Sequence, residues 1–142
     1  MRVNILKIFD SRGMPTIMAY TCYKNERIFA IAPAGKSTGI HEAQVYPLDK
    51  KGKANIDLRF GFFEKNRKAI SEAFEFDNQE EFDSLLEDID ETNNFSDMGA
   101  NLSTALSMLF AKIQAKKNNL ELYKYLNPKA KIKDLPKPLG NV

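Results

Sequence analysis

Residues 32–43 have the sequence A-P-A-G-K-S-T-G-I-H-E-A, in which an apolar segment gives way to small and hydroxyl-bearing residues. The proline cannot donate to a strand ladder, and Gly35 and Gly39 can adopt positive φ at two points. Between these glycines, Ser37 and Thr38 supply two hydroxyl groups. The pattern predicts a strand that ends in a mobile loop, able to open, close and carry an oxygen ligand.

The G-K-S-T run in this stretch is also the end of a Walker A motif, whose backbone amides cradle phosphate groups. That motif needs a glycine five residues before Gly35, where this chain has Ala30 inside the predicted strand. Pro47 also limits any helix that would follow the loop. A phosphate-binding loop of this kind is therefore disfavoured.

The residues before the loop predict a small antiparallel sheet. Residues 3–9 form a first apolar run, and residues 10–13, D-S-R-G, supply a turn. Residues 16–23 and 27–32 are rich in β-branched and aromatic side chains and flank a polar K-N-E turn, which predicts a hairpin. We therefore expect a three-stranded antiparallel meander that leads directly into the loop.

After a charged connector at residues 50–57, the hydrophobic period changes from two to about 3.6, which predicts helices. The expected apolar faces of the first three helices comprise Phe63, Ile70 and Phe74, then Phe82, Leu85, Leu86 and Ile89, then Leu102, Leu106, Leu109, Phe110 and Ile113. Asn78 is the predicted N-cap of the second helix. The third helix is expected over residues 98–117, and a short fourth helix over residues 120–126. The predicted fold is α+β, a three-stranded antiparallel β-meander followed by a bundle of about four helices.

Composition limits the classes of function. The chain has 142 residues, about one domain, and a formal net charge of +2. The lysines at residues 50, 51 and 53 and at residues 129, 131 and 133 are spread along loops without interleaved aromatic residues, so no nucleic-acid surface is expected. A single cysteine excludes an intramolecular disulfide, and one histidine with one cysteine cannot form a structural zinc site. No apolar run approaches the ~20 residues of a membrane span, so we expect a cytoplasmic protein without a membrane partner.

Four motifs, in order along the chain, resemble those of the enolases, the phosphopyruvate hydratases of glycolysis. Residues 10–16, D-S-R-G-M-P-T, resemble the family's D-S-R-G-N-P-T, and residues 34–43 resemble its S-G-A-S-T-G-x-H-E-A loop. Residues 90–101 are similar to D-G-T-x-N-K-S-x-L-G-A-N, and residues 135–142 to L-P-x-P-x-x-N-V. Because the matches cover nearly the whole chain, it is identified as similar to the N-terminal domain of an enolase.

This resemblance implies that residues 1–142 form a lid domain, which a much larger catalytic barrel follows in the family. The metal-binding carboxylates and the base lysine would lie beyond this stretch, so no catalytic residue is assigned here and the isolated chain is expected to be inactive. The acidic residues of the second predicted helix match none of the catalytic groups and are interpreted as exposed helix charges: Glu80, Glu81, Asp88 and Asp90.

By the same resemblance, the loop closes over 2-phospho-D-glycerate or phosphoenolpyruvate, which the complete enzyme interconverts with Mg²⁺. The implied lid residues are Ala34, Gly35, Lys36, Ser37, Thr38, Gly39 and His41. Ser37 would ligate the second magnesium ion through its hydroxyl and carbonyl oxygens, since this hard cation takes oxygen ligands. The implied partner is the barrel domain, in the same or a separate chain.

Several positions depart from the family pattern. Met14 replaces an asparagine, Lys36 an alanine and Phe95 a lysine, and residues 45–48 lack the E-x-R-D that usually follows the loop. Leu6 stands where many relatives have an arginine, a residue that pairs across the family's dimer interface. A homo-oligomer is therefore one possible state of this chain, but the usual dimer contacts of the family are not expected with the same residues. The alternative to an enolase lid domain is a free-standing enolase-like module for binding or assembly.

Overall fold

The computed structural model describes residues 1–35, 39–131, 133 and 137. Its three strands are β1 (Asn4–Phe9), β2 (Pro15–Tyr23) and β3 (Glu26–Ile31), paired antiparallel in the order β1-β2-β3. The hairpin between β2 and β3 turns through Lys24 and Asn25, whose φ angles of 49° and 64° match the twist of the flanking strands. The predicted meander is therefore confirmed.

Four helices follow the sheet: α1 (Leu58–Ala73), α2 (Gln79–Asp90), α3 (Ala100–Lys117) and α4 (Leu122–Leu126). The predicted cap of α2 is confirmed, because the Asn78 side chain accepts the Glu81 N–H at 2.9 Å. The predicted α3 was two residues too long at its start, since Gly99 has a φ of 84° and cannot continue the helix. In the described part of the chain, no helix is long and apolar enough to cross a membrane.

The start of α4 also differs from the prediction, by two residues. Asn119 has a φ of 54°, and the Leu120 N–H donates to the Ala115 oxygen at 2.8 Å. This pattern is a Schellman motif, which satisfies the last carbonyls of α3 and uses the residues expected to begin α4.

The core lies between the helices and one face of the sheet, with α3 packed against β2 and β3. Phe74, Phe82 and Phe110 form its aromatic part, with ring centroids 4.4–5.7 Å apart. The predicted apolar faces are confirmed as buried, except that Leu85 and Ile89 are only partly buried. This core fixes the starts of α1 and α3 next to the long connection between β3 and α1.

Candidate functional site

The turn between β1 and β2 is organised around the carboxylate of Asp10. That carboxylate accepts the backbone N–H groups of Arg12 at 2.8 Å and Met14 at 2.9 Å, and the Arg12 guanidinium at 3.0 Å. These hydrogen bonds, chiefly the one from Met14, hold the pKa of Asp10 below its ordinary value. The D-S-R-G sequence therefore folds around one ionised side chain.

Arg12 connects this turn to the start of the predicted lid, residues 34–41, which we call the lid loop. Its Nη2 donates to the backbone oxygen of Ala34 at 2.6 Å while it also pairs with Asp10. Because the carboxylate orients the guanidinium, this donor points at one fixed position just after β3. The predicted lid therefore starts at a backbone position that the first turn of the domain holds.

A short turn closes the other end of the lid loop. The Gly39 N–H donates to the Glu42 carboxylate at 2.8 Å, and the Glu42 N–H donates to the Gly39 oxygen at 3.2 Å. His41 is exposed and makes no hydrogen bond to a residue that the structure describes. Three predicted lid residues lie outside the described residues: Lys36, Ser37 and Thr38. Their roles stay predictions.

The segment after the lid, residues 44–48, is held by the loop before α3. The Gln44 N–H donates to the Asn94 oxygen at 2.8 Å, and the Ala100 N–H donates to the Gln44 oxygen at 2.7 Å. A Cβ at Gly99 would lie 2.9 Å from a backbone oxygen of this segment, and the φ of 84° there disfavours other residues. The G-A-N sequence therefore lets the start of α3 approach the end of the lid closely.

Asp90 is not an exposed helix charge, so that prediction was wrong. Asp90 is only 1% exposed. Its carboxylate accepts hydrogen bonds from the N–H groups of Met98 at 2.6 Å and Thr92 at 3.3 Å, and from the Thr92 hydroxyl. The sequence carried a signal, because Asp90 lies four residues after the buried Leu86 on the same helical stripe. The other three acidic residues are exposed as predicted: Glu80, Glu81 and Asp88.

A cleft of about 510 Å³ lies where the first turn, the start of the lid loop and the segment after it meet. Its lining residues are Arg12, Met14, Ala34, Gly35, Glu42, Ala43, Gln44, Val45 and Tyr46. The Tyr46 hydroxyl donates to the Pro15 oxygen at 3.0 Å, which ties this wall of the cleft to the start of β2. Both held ends of the lid loop therefore face one cleft.

Next to Tyr46 lies a buried arginine that sequence reasoning missed. Arg59, in the first turn of α1, is 0% exposed, and its guanidinium carbon lies 5.3 Å from the Tyr46 ring centroid. None of its guanidinium nitrogens has a hydrogen-bond partner among the described residues. Burial lowers the pKa of Arg59 to about 10, against the opposing effect of Asp57, so it stays charged at neutral pH. Arginine is rarely buried, and no pattern in the sequence marked this one.

Comparison with known proteins assigns the chain to a family. The model of that family, described as the N-terminal domain of enolase, matches residues 1–126. The chain belongs to the enolase family. It is 40% identical to the enolase of Thermoplasma acidophilum over 140 residues, which cover 99% of this chain and 33% of that relative. It is 38% identical to the enolase of Picrophilus torridus over 139 residues, which cover 98% of this chain and 33% of that relative.

This membership confirms the resemblance read from the motifs, and the sheet followed by four helices is consistent with the fold of an enolase N-terminal domain. The chain spans about a third of the length of the enolases that it matches. No three His, Cys, Asp or Glu side chains lie together among the described residues. A serine hydroxyl is an oxygen donor of the kind that Mg²⁺ binds, and Ser37 stays a predicted ligand.

Proposed function

We propose that this chain is the lid domain of an enolase that interconverts 2-phospho-D-glycerate and phosphoenolpyruvate. The observation that supports it best is the anchoring of the lid loop on both sides. Arg12 holds the Ala34 oxygen at 2.6 Å, and the Ala100 N–H holds the Gln44 oxygen at 2.7 Å. A loop fixed at its two ends next to a cleft can close over a ligand there only through the residues between its anchors.

In this proposal, the residues of the loop bind and orient while another domain performs the proton transfer. Ser37 would hold one Mg²⁺ through its hydroxyl and carbonyl oxygens, and Lys36 would place a positive charge near the anionic substrate. When bound, the metal would stabilise the negative charge that develops on the substrate carboxylate. The general base and the remaining metal ligands belong to a barrel domain, in the same or a separate polypeptide. The reaction is a step of glycolysis, so the proposed location is the cytoplasm.

The first test separates the domain from the complete enzyme. Purified residues 1–142 and the complete protein are assayed for phosphoenolpyruvate by absorbance, with excess Mg²⁺. We expect turnover by the complete protein and none by the isolated chain, because the chain supplies no base. Turnover by the isolated chain would contradict this division of roles. An inactive complete protein would favour the alternative, an enolase-like module for binding or assembly.

The second test addresses Ser37 in the complete protein. Ser37→Ala should lower kcat by roughly tenfold to a thousandfold, the range seen when one transition-state ligand is lost. Ser84→Ala, which removes a hydroxyl from the exposed face of α2, is the matched control and should keep wild-type kinetics. If Ser37→Ala turns over substrate like the control, the loop is not a metal-binding lid in this protein.

A further inference from the structure

Arg59 is a charged residue in a fully buried position. It is 0% exposed, and its three guanidinium nitrogens lack hydrogen-bond partners among the described residues. Leaving a buried charge without such partners is costly, since water cannot reach it and no acceptor replaces the water. The free energy lost by burying this charge points to a role for Arg59 outside the core, and its neighbours indicate which surface its charge affects.

The neighbour of this guanidinium is the wall of the lid cleft. The guanidinium carbon lies 5.3 Å from the ring centroid of Tyr46, and Tyr46 lines the cleft. The family pattern has an arginine in the segment after the lid, whereas this chain has none at residues 45–48. Instead, α1 brings a guanidinium against that segment from the interior.

Among the described residues, the charged side chains that line the cleft are Arg12 and Glu42. Arg12 is paired with Asp10 at 3.0 Å, and Glu42 adds a carboxylate to the lining. Asp57 lies close enough to Arg59 to favour its charged form, but this carboxylate is largely exposed and binds Lys7 at 2.9 Å. Among the described residues at this wall of the cleft, Arg59 is therefore a cation without a hydrogen-bonded carboxylate.

We propose that Arg59 is a positioning residue that makes the lid cleft selective for anionic ligands. It acts through Tyr46 without touching the ligand: the ring stacks on the cation, and the fixed charge raises the electrostatic potential at the cleft. Because the charge is buried, solvent and salt screen it less than they screen a charge at the surface. The ligand class is a small phosphate-bearing anion. This inference deepens the proposed function and rests on it for the identity of the substrate.

The direct test uses the 142-residue chain and inorganic phosphate, so it does not depend on turnover. Phosphate is titrated into labelled protein, and the amide shifts of Arg12, Gly39 and Gln44 report binding at the cleft. Arg59→Met should weaken phosphate binding roughly threefold to tenfold, as expected when a buried unit charge near an anion is removed. Arg59→Gln, also neutral but able to donate hydrogen bonds, should weaken it equally.

The matched control is Arg67→Met on the same helix. Arg67 lies over the Phe63 ring at a similar distance of 5.2 Å, but it pairs with Glu64, and Phe63 does not line the cleft as Tyr46 does. Its loss should leave phosphate binding unchanged. Wild-type affinity in Arg59→Met, retained affinity in Arg59→Gln alone, or no phosphate shifts in the wild type would each overturn the proposal.

Kinetics of the complete protein provide a second measurement. Arg59→Met should raise KM for 2-phospho-D-glycerate roughly threefold to tenfold, with a smaller change in kcat. A purely structural role would lower the concentration of active enzyme and leave KM unchanged, and that result would overturn the proposal. If the wild type does not turn over this substrate, the proposed function fails, whereas the phosphate titration still decides the role of Arg59.

Discussion

Replacing Asp90 with alanine should destabilise the domain strongly, although the residue stands at the end of an acid-rich helix. Its carboxylate accepts a 2.6 Å hydrogen bond from Met98, which is 0% exposed, and two from Thr92, which is partly exposed. Hydrogen bonds to a charged group contribute about 1.5–3 kcal/mol each, and a buried donor left unpaired loses the most. Water can replace the lost partner of Thr92 but not that of Met98. We therefore expect Asp90→Ala to lower the free energy of unfolding by about 3–4 kcal/mol.

Urea unfolding followed by circular dichroism measures this loss. Asp88→Ala is the matched control, because it removes an exposed carboxylate from the same helical turn and should change the free energy of unfolding by less than about 0.5 kcal/mol. Asp90→Asn keeps one acceptor oxygen and should fall between the two. If Asp90→Ala is no less stable than Asp88→Ala, the buried carboxylate does not hold the loop, and the reasoning fails.

Two further predictions follow from the same anchors. Gly99→Ala should lower the free energy of unfolding by about 3 kcal/mol, because alanine would have to keep the positive φ at this position and its Cβ would meet a backbone oxygen at 2.9 Å. Gly61→Ala, within α1 and with open space around it, should instead raise the free energy of unfolding by about 0.5–1 kcal/mol. Thermal unfolding of both variants checks this. The folded protein lowers the pKa of Asp10, so the ionised carboxylate stabilises the fold. This stabilisation is fully present above the ordinary pKa of 3.8 and is lost as the pH falls through the lowered pKa. Between about pH 6 and pH 3, the urea midpoint of the wild type should therefore fall further than that of Asp10→Asn; equal falls would contradict this.

Much of the fold could be predicted because the sequence changes its hydrophobic period once, from two to about 3.6. Strand composition located β1, β2 and β3, and the apolar stripes located the buried faces of three helices. The predicted starts of α3 and α4 were wrong because backbone geometry decides them. Gly99 and Asn119 both have positive φ, so each stops a helix that side-chain periodicity alone would extend or start earlier.

The residues that hold or flank the lid loop were harder to predict than the loop itself. The lid residues stand in a contiguous motif, whereas Arg12 and Ala34 are 22 residues apart and meet only through the register of the sheet. Asp90 and Arg59 are charged residues in buried positions, and composition argues against burial for both. For Asp90 the helical stripe contained the correction, but for Arg59 only the packing of α1 against the segment after the lid reveals its position.

The motifs that identify the family therefore have a structural role that does not require catalysis. The D-S-R-G turn fixes the first residue of the lid loop through Arg12, and the loop closed by Asp90 fixes the segment after the lid through Gln44. Each anchor rests on one carboxylate that organises a turn, Asp10 for the first and Asp90 for the second. In the proposed lid, ends that are already fixed mean that closing over a ligand loses less conformational entropy than closing a fully free segment would. On this reasoning, weakening either carboxylate should reduce ligand affinity through the lid even though neither side chain reaches the ligand.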